Sequence, residues 1–330
     1  MGNAFSGLYR KYTFSDSVLD LENTLDLKKI CHYSSANGLL GIVQDKKEEY
    51  EKLHFWFTRS DCLNDISEGK DVKRIYDNVC KKLLEEKQIY PDFYELIKNV
   101  SFSPSSYIID YNIEPCGNFV VDSVIDCIEC QTFICSFSYN FDSLDMWRYY
   151  SKDNGGYALQ FATFMFCSLD NPHKLFGAIR SFPVIYDTNE KEKMLAETIK
   201  DAYSAYISEE NPGRDDLVIK FIRNMLQNYQ FQFKHECYST EKEYRFVYYR
   251  PITKPDNCLD SYPPIKYRNQ NGVIIPYVDL TIEKGYSEIK KVKVSPYITN
   301  PIAVSTTKEY LEHCGFKCSV VQSQLPTRNI

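Results

Sequence analysis

The sequence predicts an α+β fold with a mixed, mostly antiparallel sheet and flanking helices. Short segments with alternating apolar and polar side chains predict strands, and longer segments with helical periodicity predict amphipathic helices. The two kinds of segment do not follow each other in regular βαβ alternation. Hydrophobic residues make up 43% of the 330 residues and charged residues 25%, which is typical of a folded protein with a sizeable core.

The chain is expected to form one domain. Signals are weak in residues 1–26, which we interpret as a lead segment, and residues 27–330 form the predicted α+β domain. Helical patterns at about 72–86 and 91–98 precede a Ser- and Pro-rich loop, and together they predict a helical insertion at about 69–130. We expect an insertion because the motifs on both sides of it are expected to form one site.

A strand is expected at residues 30–33, and either Ser34 or Ser35 can cap the helix that follows it. This helix is expected to continue toward the charged segment near residue 48. His32 then lies at the end of a strand and Asn37 in the first turn of a helix, where polar ligands are often bound. A lone histidine in such a position is more often a hydrogen-bonded core residue.

The remaining elements follow from the same patterns. Further strands are expected at 53–58, 132–137, 157–161, 179–186, 272–278, 289–294 and 318–321. Further helices are expected at 143–150, 190–207, 215–232 and 305–313. Ser305 is the expected cap of the last helix, which Gly315 ends, and a turn is expected at residues 154–156.

The charged segment at residues 234–250 is the most informative one. Side chains alternate from Glu243 onward, and alternate residues of a strand share a face. Glu241, Glu243 and Arg245 are therefore expected on one face, and the intervening aromatic residues on the other. Two carboxylates and a guanidinium on one rigid face can shift pKa values and position a polar substrate. An edge strand with a paired, solvated charged face explains the same pattern.

A dense aromatic and cationic cluster consists of Trp147, Arg148, Tyr149 and Tyr150. Arginine and aromatic faces suit flat, anionic or nucleotide ligands. Packing between a helix and a sheet explains the cluster equally well.

The 12 cysteines show no regular disulfide spacing, and no secretory segment precedes them, so we expect reduced thiols and a cytoplasmic location. Cys127 and Cys130 form one C-x-x-C pair. A structural zinc site normally needs a second pair, and the spacing of Cys314 and Cys318 matches poorly. Buried thiols without a metal are the favoured interpretation.

Several large classes of protein are excluded by charge and motif. The net charge of −6 argues against a protein that coats duplex DNA, and no apolar run is long enough to span a membrane. The sequence contains no dinucleotide-binding G-x-G-x-x-G or phosphate-binding P-loop motif. It also lacks the G-x-S-x-G and H-E-x-x-H motifs of serine hydrolases and zinc proteases.

Five blocks of the sequence together resemble a known family. They are HYSSANGLLGIV, FWFTRSDCLNDISEG, CSFSYNFDSLDMWRYYSKDNGGYAL, EKEYRFV and SVVQSQLPTR. In order and spacing they are similar to the successive blocks of a bacterial and phage family, domain of unknown function 2971, from about residue 31 to residue 328. This resemblance implies no established activity.

The first block, with His32, Tyr33, Ser34 and Asn37, is also similar to the opening H-[YI]-[ST] strand of ADP-ribosyltransferase-like domains. In those domains the histidine and the hydroxyl residue hold NAD, a tyrosine stacks on nicotinamide, and a late glutamate directs the reaction. The resemblance therefore implies NAD as a substrate, Tyr149 or Tyr150 as the stacking residue, and a fold of the ADP-ribosyltransferase type.

The resemblance implies Glu243, Glu241 and His32 as catalytic residues. Glu243 would stabilise the oxocarbenium-like ribose, and Glu241 would activate the nucleophile of the acceptor. Arg245 would bind a phosphate or keep both carboxylates ionised. The implied NAD-binding residues are His32, Tyr33, Ser34, Asn37, Trp147, Arg148, Tyr149 and Arg245.

Three functions follow as hypotheses. The first is an NAD-consuming ADP-ribosyltransferase-like enzyme or NAD glycohydrolase that acts in bacterial or phage conflict and defence. The second is a non-catalytic module that binds a nucleotide or a partner. The third is a metal-dependent nuclease, whose carboxylates would hold Mg²⁺. The expected partners of the first are a nucleotide small molecule and an acceptor, which is protein, nucleic acid or water.

Overall fold

A computed structural model describes residues 5, 8, 11–12, 30–63, 70–102, 106–109, 128–150, 155–161, 179–210, 212–252, 262–270, 272–283 and 288–326. In these ranges the protein has an α+β fold, as predicted. The helices are α1 (Ala36–Ile42), α2 (Lys70–Glu85), α3 (Pro91–Ile97), α4 (Leu144–Tyr150), α5 (Thr188–Ser208), α6 (Arg214–Gln232) and α7 (Ala303–His313). Short 3₁₀ helices lie at Lys47–Glu49, Ser60–Cys62 and Glu236–Glu241.

The strands form one mixed, mostly antiparallel sheet. They are β1 (Ile30–Ser34), β2 (Lys52–Arg59), β3 (Ser106–Ile109), β4 (Ile128–Ser138), β5 (Tyr157–Phe161), β6 (Ile179–Pro183), β7 (Glu243–Pro251), β8 (Ile265–Gln270), β9 (Val273–Glu283), β10 (Ile289–Val294) and β11 (Ser319–Gln322). All neighbours among them pair antiparallel except β10 and β11, which pair parallel.

The long strand β4 organises the sheet. One of its edges pairs with β7 from Cys130 to Ser138. Its other edge pairs in succession with β1 at Ser138, with β2 at Ile134 and Phe133, and with β3 below them. The sheet therefore divides beside β4 into a β1 branch, which continues through β5, β10 and β11, and a β2 branch, which continues through β9 and β8.

Strand β7 lies inside the sheet, between β4 and β6. The interpretation of this segment as a solvated edge strand is therefore wrong. Its aromatic residues Tyr244, Phe246 and Tyr248 belong to the main core, which α1 and α7 complete with Leu39 and Leu311. The predicted alternation along β7 is confirmed, and both of its faces are buried.

A second core lies among α2, α3, α5 and α6, which pack on one another through apolar side chains. Phe5 of the lead segment is fully buried in this core and contacts Phe221 of α6. The two helices predicted within the insertion are α2 and α3, so this segment supplies half of the helical layer.

Several elements differ from prediction. Ser35 caps α1 by accepting a hydrogen bond from the Gly38 amide, as predicted, but α1 ends at Ile42 rather than continuing. Ser305 lies inside α7, where its hydroxyl donates to the Ile302 carbonyl, so it is not the cap. Strands β3 and β8 were not predicted.

Gly155 precedes β5 with a φ of 71°, a conformation that L residues rarely adopt. A Cβ atom at this position would collide with the side chain of Ile298. We expect Gly155→Ala to lower the free energy of unfolding by about 1–3 kcal/mol, measured by urea denaturation. Gly272→Ala is the matched control, because Gly272 has a φ of 83° but no atom within 4 Å of the added Cβ. Equal losses in the two variants would contradict a steric role for Ile298.

Candidate functional site

The charged residues of β7 form a buried ion pair. Arg245 donates from Nε to Oε1 of Glu243 at 2.6 Å and from Nη2 to Oε2 at 3.1 Å. Glu243 is 4% exposed and Arg245 1% exposed. Because both side chains are removed from water, this bidentate pair is stronger than a surface ion pair. Arg245 also donates from Nη1 to the Phe231 carbonyl, near the end of α6.

Lys234 joins both carboxylates. It follows α6, and its Nζ donates to Oε2 of Glu241 at 2.7 Å and to Oε2 of Glu243 at 3.0 Å. Its ammonium group also lies 4.7 Å from the centre of the Tyr238 ring. We call Lys234, Glu241, Glu243 and Arg245 the charged cluster.

Glu241 reaches the charged cluster by a route that the strand pattern did not predict. It is the last residue of the 3₁₀ helix Glu236–Glu241, not a residue of β7. Lys242 follows with a φ of 42°, in the left-handed region, and this turn directs the chain into β7. The expectation that Glu241 and Glu243 share a strand face is therefore wrong, although their side chains meet at Lys234.

The environment moves the pKa values of the two carboxylates in opposite directions. Burial disfavours the ionised form of Glu243, but Arg245 and Lys234 outweigh it and lower its pKa to about 2. Burial raises the pKa of Glu241, and the neighbouring Glu243 adds to this effect, while Lys234 opposes it. Glu243 is therefore firmly ionised near neutral pH, and Glu241 binds a proton more readily.

An aromatic group from β1 and α4 lies beside the charged cluster. The ring of Tyr33 contacts Trp147 at 4.8 Å and Tyr150 at 6.4 Å between ring centres. Trp147 is fully buried and donates from Nε1 to Asp142. Burial raises the pKa of Tyr150, and the charges of the nearby carboxylates raise it further. Tyr150 is nevertheless 39% exposed, so its ring is accessible beside the cluster.

His32 lies on the opposite face of the sheet from Glu243. Its ring packs against Phe137 at 5.2 Å and Phe55 at 6.2 Å, within the main core. Phe137 pairs with Tyr244, whereas Glu243 pairs with Ser138, and successive residues of a strand point to opposite faces. His32 therefore does not join the charged cluster.

His32 is anchored where the two branches leave β4. Its Nδ1 is 2.9 Å from the carbonyl oxygen of Ser136, which lies between the positions that pair with β1 and β2. Burial lowers the pKa of His32, so its ring is neutral near neutral pH. With a carbonyl as its partner, Nδ1 must carry the proton.

The other predicted NAD-binding residues lie in different parts of the structure. Tyr33 contacts Trp147 and Tyr150, of which Tyr150 lies beside the charged cluster, and Arg245 belongs to that cluster. Tyr149 is 63% exposed, and Arg148 is exposed on the same helix with Asp145 3.9 Å away. Ser34 and Asn37 lie at the end of β1 and in the first turn of α1.

Sequence reasoning missed Lys234 as a member of the site. Its signal was available, because a lysine two residues after an amphipathic helix precedes three glutamates within ten residues. Tyr186 was also missed: its hydroxyl accepts a hydrogen bond from the Glu243 amide at 3.0 Å and so fixes the start of β7. No periodicity indicates that contact, because β6 and β7 meet only in the folded chain.

The described part of the chain offers neither a group of metal ligands nor a helix that could span a membrane. It contains no group of three or more His, Cys, Asp or Glu side chains that could hold a metal ion. Among the same residues, no helix is long and apolar enough to cross a membrane. Cys130, Cys314 and Cys318 form no disulfide bond with any described residue, and Cys127 lies outside the described residues.

Comparison with known proteins gives one match. No curated protein and no solved structure matches the chain. A family model matches residues 146–246, which run from within α4 into β7. This segment contains Trp147, Tyr150 and all of the charged cluster. Residues 146–246 are thus similar to the family described as "Protein of unknown function (DUF2971)".

Proposed function

We propose that the protein is an enzyme that consumes NAD, either an ADP-ribosyltransferase-like enzyme or an NAD glycohydrolase. The observation that carries this proposal is the pair of linked carboxylates whose pKa values are moved apart, Glu243 downward and Glu241 upward. Two carboxyl groups with separated pKa values are the arrangement that glycosidic bond cleavage uses. The exposed ring of Tyr150 beside them offers a surface for a flat substrate ring.

The proposed reaction breaks the bond between nicotinamide and ribose. The bonding electron pair leaves with nicotinamide, and positive charge develops on the ribose. Glu243 remains ionised and stabilises this charge, which appears only in the transition state. A nucleophile of the acceptor or a water molecule then bonds to the ribose carbon, and Glu241 accepts its proton.

The acceptor decides which of the two enzymes the protein is. Transfer to a protein or a nucleic acid makes it an ADP-ribosyltransferase, and transfer to water makes it a glycohydrolase. Depletion of NAD or modification of a macromolecule would suit a role in bacterial or phage conflict, which we include in the proposal.

Glu241→Gln tests the proposal, because the variant keeps the shape of the side chain and removes its proton acceptor. We expect nicotinamide release from NAD to fall about 10²–10⁴-fold. The measurement is chromatographic detection of nicotinamide, with mass spectrometry of added protein, DNA and RNA to identify the acceptor. Glu236→Gln is the matched control, because Glu236 is an exposed glutamate of the same 3₁₀ helix.

Two outcomes would contradict the proposed enzymatic activity. One is a wild-type protein that releases no nicotinamide with any acceptor. The other is a Glu241→Gln variant that retains the activity of Glu236→Gln. Thermal unfolding of each variant shows whether a loss of activity is a loss of fold.

A non-catalytic module that binds a nucleotide or a partner is the second candidate. It is favoured by the position of His32 across the sheet and by the saturation of Glu243 with two cations. This candidate predicts that NAD binds without being consumed. Calorimetry with NAD on the wild type and on Tyr150→Ala distinguishes the two candidates when it is read beside the turnover assay.

A further inference from the structure

Arg268 of β8 is held rigidly against two aromatic rings. Its guanidinium carbon lies 5.6 Å from the centre of the Trp56 ring and 5.3 Å from that of Tyr277. The two rings contact each other at 5.1 Å. Arg268 also donates from Nη2 to Thr58 Oγ1 at 2.8 Å and makes a longer contact with Gln270 at 3.4 Å. The side chain is therefore ordered before any ligand arrives.

The charge of Arg268 has no carboxylate partner among the described residues. Asp279 is the nearest candidate along the hairpin, but it pairs with Lys266 at 2.9 Å and with His54 at 3.3 Å. Arg268 is half-buried, and burial lowers its pKa. A half-buried cation without a counter-ion is costly, and an anionic ligand would offset that cost.

The positive charge of Arg268 affects His32 and Cys135, which lie near the point where the two branches leave β4. Burial lowers the pKa of His32, and Arg268 lowers it further. Burial raises the pKa of the Cys135 thiol, and Arg268 opposes that increase. Both effects come from the positive charge of Arg268, which has no carboxylate partner in the described part of the chain.

We infer that Arg268, fixed by Trp56, Tyr277 and Thr58, is the anion-binding residue of a site for a small molecule that carries a phosphate or diphosphate group. All of the hydrogen bonds of Arg268 to described residues use Nη2, which leaves Nε and Nη1 to donate to the ligand. The Nε and Nη1 hydrogens of a guanidinium point in different directions, so each can donate to a separate oxygen of a phosphate or diphosphate group. Stacking on the rings reduces the entropy that Arg268 loses on binding.

This site is independent of the proposed enzyme. Arg268 makes no contact with the charged cluster among the described residues, and binding of a phosphate does not require NAD to be cleaved. Binding is therefore measured with inorganic pyrophosphate and with ADP, neither of which can release nicotinamide.

The test is isothermal titration calorimetry at low ionic strength. We expect Arg268→Gln to weaken the binding of both probes by at least about tenfold. Arg268→Lys should weaken it by a similar factor, because lysine keeps the charge but loses the planar guanidinium that the rings of Trp56 and Tyr277 hold in place. Lys266→Gln is the matched control: it removes one positive charge from the same strand, and we expect a change of less than about twofold.

Tryptophan fluorescence tests whether the probe binds beside Trp56, because the chain has only two tryptophans. Pyrophosphate should change the emission of the wild type, and the change should disappear in Trp56→Phe. A wild-type protein that binds neither probe overturns the inference. Equal weakening by Lys266→Gln and Arg268→Gln also overturns it, because the attraction would then be a diffuse effect of charge.

Discussion

Arg245→Met is expected to lower the free energy of unfolding by about 3–5 kcal/mol, because the buried carboxylate of Glu243 loses its bidentate partner and Lys234 compensates for only part of that loss. Glu243 is 4% exposed, so water cannot replace the lost donors without rearrangement of α6 or β7. The Phe231 carbonyl loses a donor in the same variant. The measurement is urea denaturation followed by circular dichroism at neutral pH.

The control for this prediction is Arg148→Met. Arg148 is exposed and lies 3.9 Å from its acidic neighbour, so its replacement should cost less than about 0.5 kcal/mol. The double variant Arg245→Met with Glu243→Met also removes the buried carboxylate. It should therefore recover part of the lost free energy of unfolding. If Arg245→Met lowers the free energy of unfolding no more than Arg148→Met does, the ion pair of Glu243 and Arg245 is not removed from water in solution.

The second large effect is a loss of stability in acid that depends on Glu243. Its pKa is lowered from an ordinary value of 4.5 to about 2 in the folded protein. A group with a lowered folded pKa stabilises the fold above its unfolded pKa, and this contribution is lost as the pH falls. We therefore expect a contribution of about 3 kcal/mol at neutral pH that disappears between about pH 5 and pH 2.

Glu241 changes the stability with pH in the opposite direction to Glu243. Because its folded pKa is raised, its contribution to stability is present below the unfolded pKa and is lost as the pH rises through the folded value. The two contributions have opposite signs, so the total change in stability between neutral and acid pH should be larger in Glu241→Gln and smaller in Glu243→Gln than in the wild type. Urea denaturation of both variants at several pH values measures the two changes. Identical changes would contradict the opposed pKa shifts.

The charged cluster has an energetic cost that bears on its use. Two carboxylates and two cations are removed from water in one place, and well-packed apolar side chains would often be as stable or more so. Clusters with displaced pKa values are concentrated at functional sites for this reason. This argument supports the proposed enzyme and the binding module alike, and the turnover assay separates them.

Much of the fold could be predicted from local patterns. The strand β5, the alternation in β7, the Ser35 cap of α1 and the two long helices α5 and α6 are all consequences of short-range spacing. These patterns act within one element, where side-chain direction depends only on the period of the backbone. The fold class followed from their order, without any knowledge of how the strands pair.

The order of strands in the sheet depended on contacts between distant segments. β4 accepts β1, β2 and β3 along one edge, and this pairing divides the sheet into two branches. The strand β8 carries a polar and exposed sequence, so its alternation does not separate an apolar from a polar face. It forms because β9 offers it a partner.

The sequence by itself determined that Glu243 and Arg245 share a face, because two residues separated by one position in a strand must do so. Only the tertiary structure decided which other residues reach that face. Lys234 and Glu241 join it through the end of α6 and a left-handed turn at Lys242. His32 points the other way, because the register of β1 on β4 pairs Cys31, not its neighbour, with Ser138. A shift of one residue in that register would exchange the two faces, and no local pattern in the sequence fixes it.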